Sequence, residues 1–216
     1  MYLVSNMGGG DTAHDDNGFI SRLRPDGTVL DARWIAGGVR GATLDAPKGL
    51  AIRGDTLAVA DLGAVHLFDR RTGAPLRTIA VPGLVLNDLA YTADGTLWIT
   101  DTGPARAPSP VDTSRDMDAV WRVTPDGRVS SVARGLALSR PDGIVLEGAD
   151  ALISTFGALA VSSWDAQAVW RVTPGQPPRA LLTGVPSPAG IAVDTRRHRL
   201  AVTSMQQNAL YLVPLS

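Results

Sequence analysis

The chain has 216 residues, long enough to bury a sizeable core, with 21 acidic and 20 basic side chains and a net charge of −1. That balance argues against the basic footprint of a nucleic-acid binder and against a polybasic membrane patch. With no cysteine there are no disulfides and no thiol chemistry, and no apolar run approaches the roughly 20 residues that span a bilayer. Arg and Asp carry almost all the charge; Lys48 is the only lysine and Glu147 the only glutamate.

Along the chain, apolar β-prone runs recur, each ending in small or polar residues, as a buried strand reaching a loop does. They begin at Leu3, Leu57, Leu97, Leu152, Leu159 and Leu200, six in all. The first opens the chain at Tyr2–Asn6, with no basic leader segment, and the compartment stays open. Most of the six are preceded by another apolar strand and a tight turn: Gly49–Ile52, Asp88–Tyr91, Gly143–Leu146 and Gly190–Val193. Most are followed by an alternating strand: Phe19–Leu23, Val65–Phe68, Val120–Val123, Val169–Val172 and Leu210–Val213. Turns at Pro25-Asp26-Gly27, Thr72-Gly73 and Pro125-Asp126-Gly127 then lead into a fourth strand, since Gly accepts the positive φ of such hairpins. The heptapeptide Ala119-Val120-Trp121-Arg122-Val123-Thr124-Pro125 returns letter for letter at Ala168–Pro174. A spacing of about fifty residues is that of a repeat array.

The unit is an antiparallel meander A-B-C-D, which is a β-propeller blade. A sandwich of hairpins is the rival, but it has no need of the same internal order several times. The pattern predicts an all-β propeller of five to six blades in a single domain over 1–216, with units at 1–36, 46–81, 85–133, 140–184 and 186–216. The first unit lacks strand A and the last lacks strand D, which one missing upstream segment would supply. The runs at Leu152 and Leu159 lie almost back to back and are expected to mark a shortened blade within 140–184.

In such a meander the starts of A, the ends of B and the B–C loops share one face, and A lines the central channel. The A-starts carry Lys48, Asn87 with Asp88, Asp142 and Ala189; the B-ends carry Asn6, Asp61, Asp101, Thr155, Trp164 and Ser204. Oxygen donors from several blades suit a hard cation such as calcium. The alternative for each Asp or Asn is a cap on its own turn.

Leu86 to Asp101, with its Leu86-Asn87-Asp88-Leu89 start, resembles the Asn-Asp strand of the senescence-marker-protein/gluconolactonase/regucalcin family. That family shares its architecture with diisopropylfluorophosphatase and paraoxonase. Arg140-Pro141-Asp142-Gly143-Ile144 resembles a second ligand-bearing strand, and Ala46-Pro47-Lys48-Gly49-Leu50 resembles the equivalent stretch of bacterial members. The resemblance implies six blades, a calcium or other divalent ion at the channel mouth, and hydrolysis of lactones or phosphoesters. Carried over by position, Asn87 and Asp142 are the metal ligands. The family's Glu on the first A strand has no match; Glu147 ends a strand A, on the opposite face, and Pro188-Ala189-Gly190 offers no ligand.

The implied activity is a calcium-dependent, lactonase-like hydrolase acting on a small lactone or ester. In it Asp88, Asp101 and Asp61 support the site or supply a base, and Lys48, Asn6, His14 and Trp164 contact substrate. The rival is a non-catalytic propeller presenting a binding face, like NHL-repeat domains. Open edge strands at the incomplete blades predict self-association. The acidic loop Asp11–Gly18 lacks calcium-loop spacing and reads as solvated. His66 and His198 read as structural, and the Pro-rich stretch 104–118 as a long B–C loop.

Overall fold

The computed structural model describes residues 1–103, 118–134, 140–146, 159–163, 167–173, 175–177, 179–194, 196–204 and 206–215. All regular structure among them is β, and no helix long and apolar enough to cross a membrane occurs there. Five antiparallel sheets follow one another along the chain, each a meander of consecutive strands. This is an incomplete β-propeller in its blade architecture. The chain divides into two compact units, Met1–Leu86 and Asn87–Ser216.

The first unit holds two blades. One is three-stranded, β1 (Tyr2–Asn6), β2 (Phe19–Leu23) and β3 (Val29–Ala36), in the order B-C-D. The other is complete: β4 (Leu50–Arg53), β5 (Thr56–Ala60), β6 (Ala64–Asp69) and β7 (Pro75–Ala80). The apolar run of β5 is buried at all but its first residue, whereas the D strand β7 is exposed along most of its length. Ile20, Ile35, Leu44, Leu57, Val59 and Phe68 form the shared core. Each such side chain contributes about 1.5–3 kcal/mol on leaving water.

Backbone packing between these blades depends on Gly18. Its amide donates to Leu44 O at 2.9 Å, and its own carbonyl accepts from the Gly37 amide at 2.9 Å. A Cβ there would stand 2.3 Å from Pro47 Cδ and 2.8 Å from Asp45 O, so no larger residue fits.

The second unit holds three blades. They are β8 (Leu86–Tyr91), β9 (Leu97–Asp101), β10 (Ala119–Val123) and β11 (Val129–Arg134); β12 (Pro141–Leu146), β13 (Leu159–Ser163), β14 (Ala168–Val172) and β15 (Arg179–Thr183); and β16 (Pro188–Asp194), β17 (Arg199–Ser204) and β18 (Ala209–Pro214). The first five residues of each copy of the repeated heptapeptide form the C strands β10 and β14. Their cores are separate clusters around Trp98, Val120, Ile144 and Val172, and around Val169, Val185, Leu200 and Val202.

One expectation is corrected here. The run at Leu159 does not begin a new blade after a shortened one; it pairs with β12 on one side (Ile144↔Val161) and with β14 on the other (Val161↔Trp170). It is strand B of the blade whose strand A is Pro141–Leu146. The neighbouring run at Leu152 lies outside the described residues, as does Glu147, so the described sheets number five.

Candidate functional site

The expected meeting of A-starts with B-ends is seen in the second, fourth and fifth blades. Lys48 at the start of a strand A donates its amide to Ala60 O at the end of strand B (2.9 Å), and Pro141 and Pro188 stand opposite Ser163 and Ser204. A-starts and B-ends therefore meet at one end of these sheets.

Two recurring side-chain contacts build that end. The first is internal to a blade and ties the polar B-end residue to the third residue of strand C. Asn6 Nδ2 donates to Ser21 Oγ at 3.0 Å, Asp61 Oδ2 lies 3.6 Å from His66 Nε2, and Trp121 Nε1 donates to Asp101 Oδ2 at 3.2 Å. The registers Asn6↔Phe19 and Asp101↔Ala119 make these positions equivalent. In the fourth blade the B-end is Ser163, and Trp170 Nε1, the counterpart of Trp121 in an identical sequence, is buried with no hydrogen-bond partner among the described residues.

The second contact stitches one blade to the next. The residue before the B-end carries a hydroxyl that donates to the carbonyl at the following A-start. Ser5 Oγ donates to Lys48 O, and Thr100 Oγ1 to Asp142 O. Thr102, just past the B-end, adds a link: Asn87 Nδ2 donates to Thr102 Oγ1 (2.9 Å), which donates to Pro141 O (2.9 Å).

These contacts place the candidate residues. Asp61 is buried, and its oxygens accept from the amides of Asp45 (2.7 Å), Ala46 (2.7 Å) and Leu62 (2.8 Å), which anchors the chain entering the second blade. Asp101 is equally buried and also accepts from the Gly103 amide at 3.1 Å. Asp88 occupies the position that is Gly49, Gly143 and Gly190 in the other complete A-starts. Its carboxylate accepts from Leu89 N (2.8 Å) and from Ile144 N in the next blade (3.1 Å). Burial raises the pKa of its carboxyl above the ordinary aspartate value, against the pull of those two amides. All three carboxylates hold backbone in place.

Asn87 and Asp142 start neighbouring A strands and are held in register by the Thr100 and Thr102 links. The Asn87 amide group is turned toward Thr102, which leaves Oδ1 as its acceptor end. In the first unit, Asn6 and Lys48 line one open cleft of about 650 Å³ with Phe19 and Pro47. Lys48 Nζ donates to Asp11 O and Ala46 O, each at 3.0 Å, so the single lysine pins the acidic loop to the A-start. His14 is exposed and its Nδ1 lies 2.8 Å from Asp45 Oδ2. Trp164 lies outside the described residues.

As a metal centre the set is sparse. Among the described residues no group of three or more His, Asp or Glu side chains gathers in a way that would hold an ion. Asn87 and Asp142 offer oxygen donors from two strands. That number fits a hard cation keeping much of its shell as water or substrate oxygen, and does not make a full calcium cage of six to eight ligands. Motif reading does not reveal these contacts within and between blades; their signal in the sequence is the polar residue at the B-ends Asn6, Asp61 and Asp101, together with Ser5 and Thr100 just before two of them.

No family model matches the chain, and no curated protein matches it in sequence. Solved structures do. The chain is similar to a streptogramin B lyase (14% identity, 94% of this chain and 63% of that one, TM-score 0.59). A catalytically inactive virginiamycin B lyase from Staphylococcus aureus with quinupristin gives 15% identity, 94% and 64% coverage, and a TM-score of 0.58. A structural-genomics target described as a candidate gluconolactonase gives 17% identity, 94% and 71% coverage, and a TM-score of 0.59. At these identities the likeness establishes the propeller fold. The chain spans less than two thirds of the length of the two lyases.

Proposed function

We propose that the chain is a hydrolase- or lyase-type propeller of the lactonase kind, acting on a small lactone or ester at the end where strands A begin. The observation that carries this reading is the linked pair of A-starts, in which Thr100 and Thr102 hold Asn87 and Asp142 in fixed register. Enzyme groups must be positioned to a fraction of an ångström, and hydrogen-bonded supports of this type do that. Folds of the same type occur in the lyases and the gluconolactonase candidate above; fold likeness supports the class of chemistry without assigning it.

In this reading Asn87 Oδ1 and the Asp142 carboxylate would hold calcium or another divalent cation. Such an ion polarises a carbonyl or phosphoryl oxygen and makes bound water more acidic. Asp88, Asp101 and Asp61 are positioning residues, since their oxygens are engaged by backbone amides or by the Trp121 indole N–H. Lys48, Asn6 and His14 present polar groups on the first unit, and Trp164 is kept as a substrate contact.

A second reading, a non-catalytic propeller that binds a partner or ligand on this face, is favoured by the sparse acidic set. Calorimetric titration of calcium and magnesium into the parent chain, Asn87→Ala and Asp142→Ala separates the two. Binding by the parent that is lost in both variants supports the metal reading and directs a lactone and phosphoester screen. No binding by the parent removes it and leaves the binding module.

A further inference from the structure

The first unit contains a second cleft, away from the A-starts, of about 670 Å³. That volume is within the range of small-ligand sites. Strand β3 and the turn between β6 and β7 form its walls. Four arginines line it, Arg22, Arg33, Arg40 and Arg71, against one acid, Asp31. We propose that this cleft binds a small phosphate- or diphosphate-bearing molecule.

The charge is arranged as well as concentrated. The Arg22 guanidinium lies over the Trp34 ring at 4.8 Å, with only a long 3.5 Å approach to Asp31. The Arg33 guanidinium lies over Phe19 at 4.2 Å and donates to Asn17 O at 3.3 Å, neither of which lines this cleft, so the grip on an oxyanion falls to Arg22, Arg40 and Arg71. Packing on aromatic faces fixes the direction of a planar guanidinium, so less freedom is lost when it grips an oxyanion. Arg71 is held by Asp55 at 2.6 Å, a residue outside the cleft lining, and retains further N–H donors. Arg40 makes no hydrogen bond or ion pair among the described residues.

Two backbone features keep the cleft open. Gly73, at φ 76°, sits against the Trp34 indole, where a Cβ would stand 3.2 Å from the ring and 3.0 Å from Ile35 Cγ1. Arg40 itself has φ 52°, in the left-handed region that disfavours a side chain, between Gly38 at 69° and Gly41 at 77°. The loop therefore holds a long cation at a position where glycine would be more comfortable. Several forked guanidiniums with one acid among them match the oxygens of phosphate better than a single carboxylate.

The test is titration of inorganic pyrophosphate into the parent chain, Arg40→Gly and Arg71→Ala, at near-physiological and at high salt. Arg40→Gly suits the local φ and Arg71 is largely exposed, so both variants keep the fold, which a thermal melt checks. The expected result is binding that weakens with salt and falls at least about tenfold in each variant, a loss of about 1.4 kcal/mol or more. Lys48→Ala and Asp142→Ala leave it unchanged, so the outcome is independent of the site at the A-starts. No pyrophosphate binding by the parent at near-physiological salt, or binding that survives both arginine substitutions, overturns the proposal.

Discussion

The carboxylate of Asp88 accepts a hydrogen bond from the amide of Ile144, 3.1 Å away on strand A of the next blade. At the following junction Gly143 occupies the position equivalent to Asp88, and a Cβ there would stand 2.9 Å from Ile191 N and 2.7 Å from Ala189 O. One junction is open enough for a carboxylate to bridge it; the other brings backbone against backbone.

Replacing Asp88 by Asn sets an amide N–H₂ against one of two backbone donors. The expected loss is about 1–3 kcal/mol, measured by urea unfolding at neutral pH. The pH dependence has a definite sign. Because the folded pKa is raised, the native chain holds this proton more tightly than the unfolded chain does. Asp88's favourable contribution is full below about pH 3.9 and is lost as pH rises through its raised native value. Asp88→Asn removes that slope; an unchanged profile would show that burial is not what governs this group.

Gly143→Ala is expected to cost about 1–3 kcal/mol, because the atoms met by the new Cβ are backbone and cannot turn aside. Gly27→Ala meets nothing within 4 Å and serves as a comparison limited to the strain of its own φ of 87°. Thermal melts of the two variants measured together separate crowding from backbone preference.

Thr102→Val removes the hydroxyl between Asn87 and Pro141 while keeping the side-chain volume. Stability is expected to fall by only about 1 kcal/mol. If Asn87 is a ligand, the same change weakens divalent-cation binding without abolishing it, whereas Asn87→Ala abolishes it. Equal affinities for the parent and Thr102→Val would show that the link does not position the ligand.

Asp61→Asn is expected to be among the most damaging single substitutions in the first unit, at about 3 kcal/mol. It disturbs charge-assisted bonds to three amides at a fully buried site. Denaturant titration gives the value, and a loss under about 1 kcal/mol would contradict the anchoring role.

His66 moves stability with pH in the opposite sense to Asp88. Burial lowers its pKa, and the nearby carboxylates of Asp61, Asp45 and Asp16 only partly oppose that. The unfolded chain takes up the proton first, so the contribution is full above about pH 6.5 and is lost as pH falls through the depressed native value. His66→Gln, neutral throughout, is expected to flatten the stability profile on the acid side of pH 6.5.

The blade reading was legible because its causes are local. Alternation, buried apolar B runs, and Asp-Gly or Thr-Gly turns specify a meander from neighbouring residues alone, and the first five residues of the repeated heptapeptide form strand C twice. Leu152–Phe156 and Leu159–Ser163 both read as strand B, since each starts apolar and β-prone and runs into small or polar residues, and only pairing with Pro141–Leu146 puts Leu159–Ser163 in the fourth blade. The site was legible as a face and not as a set of roles. Asn6, Asp61 and Asp101 share one position at the blade end, and nothing in their spacing shows that a partner on strand C already occupies each.

The sequence by itself determined the meander, the strand order and the end of each blade at which polar groups collect, since these follow from side-chain period and turn chemistry within some fifty residues. Tertiary structure alone decided which oxygens are spent. Asp88 reaches Ile144, Thr100 reaches Asp142, and Arg40 is left beside Arg22 and Arg71, because those contacts join residues brought together only by sheet register and blade packing.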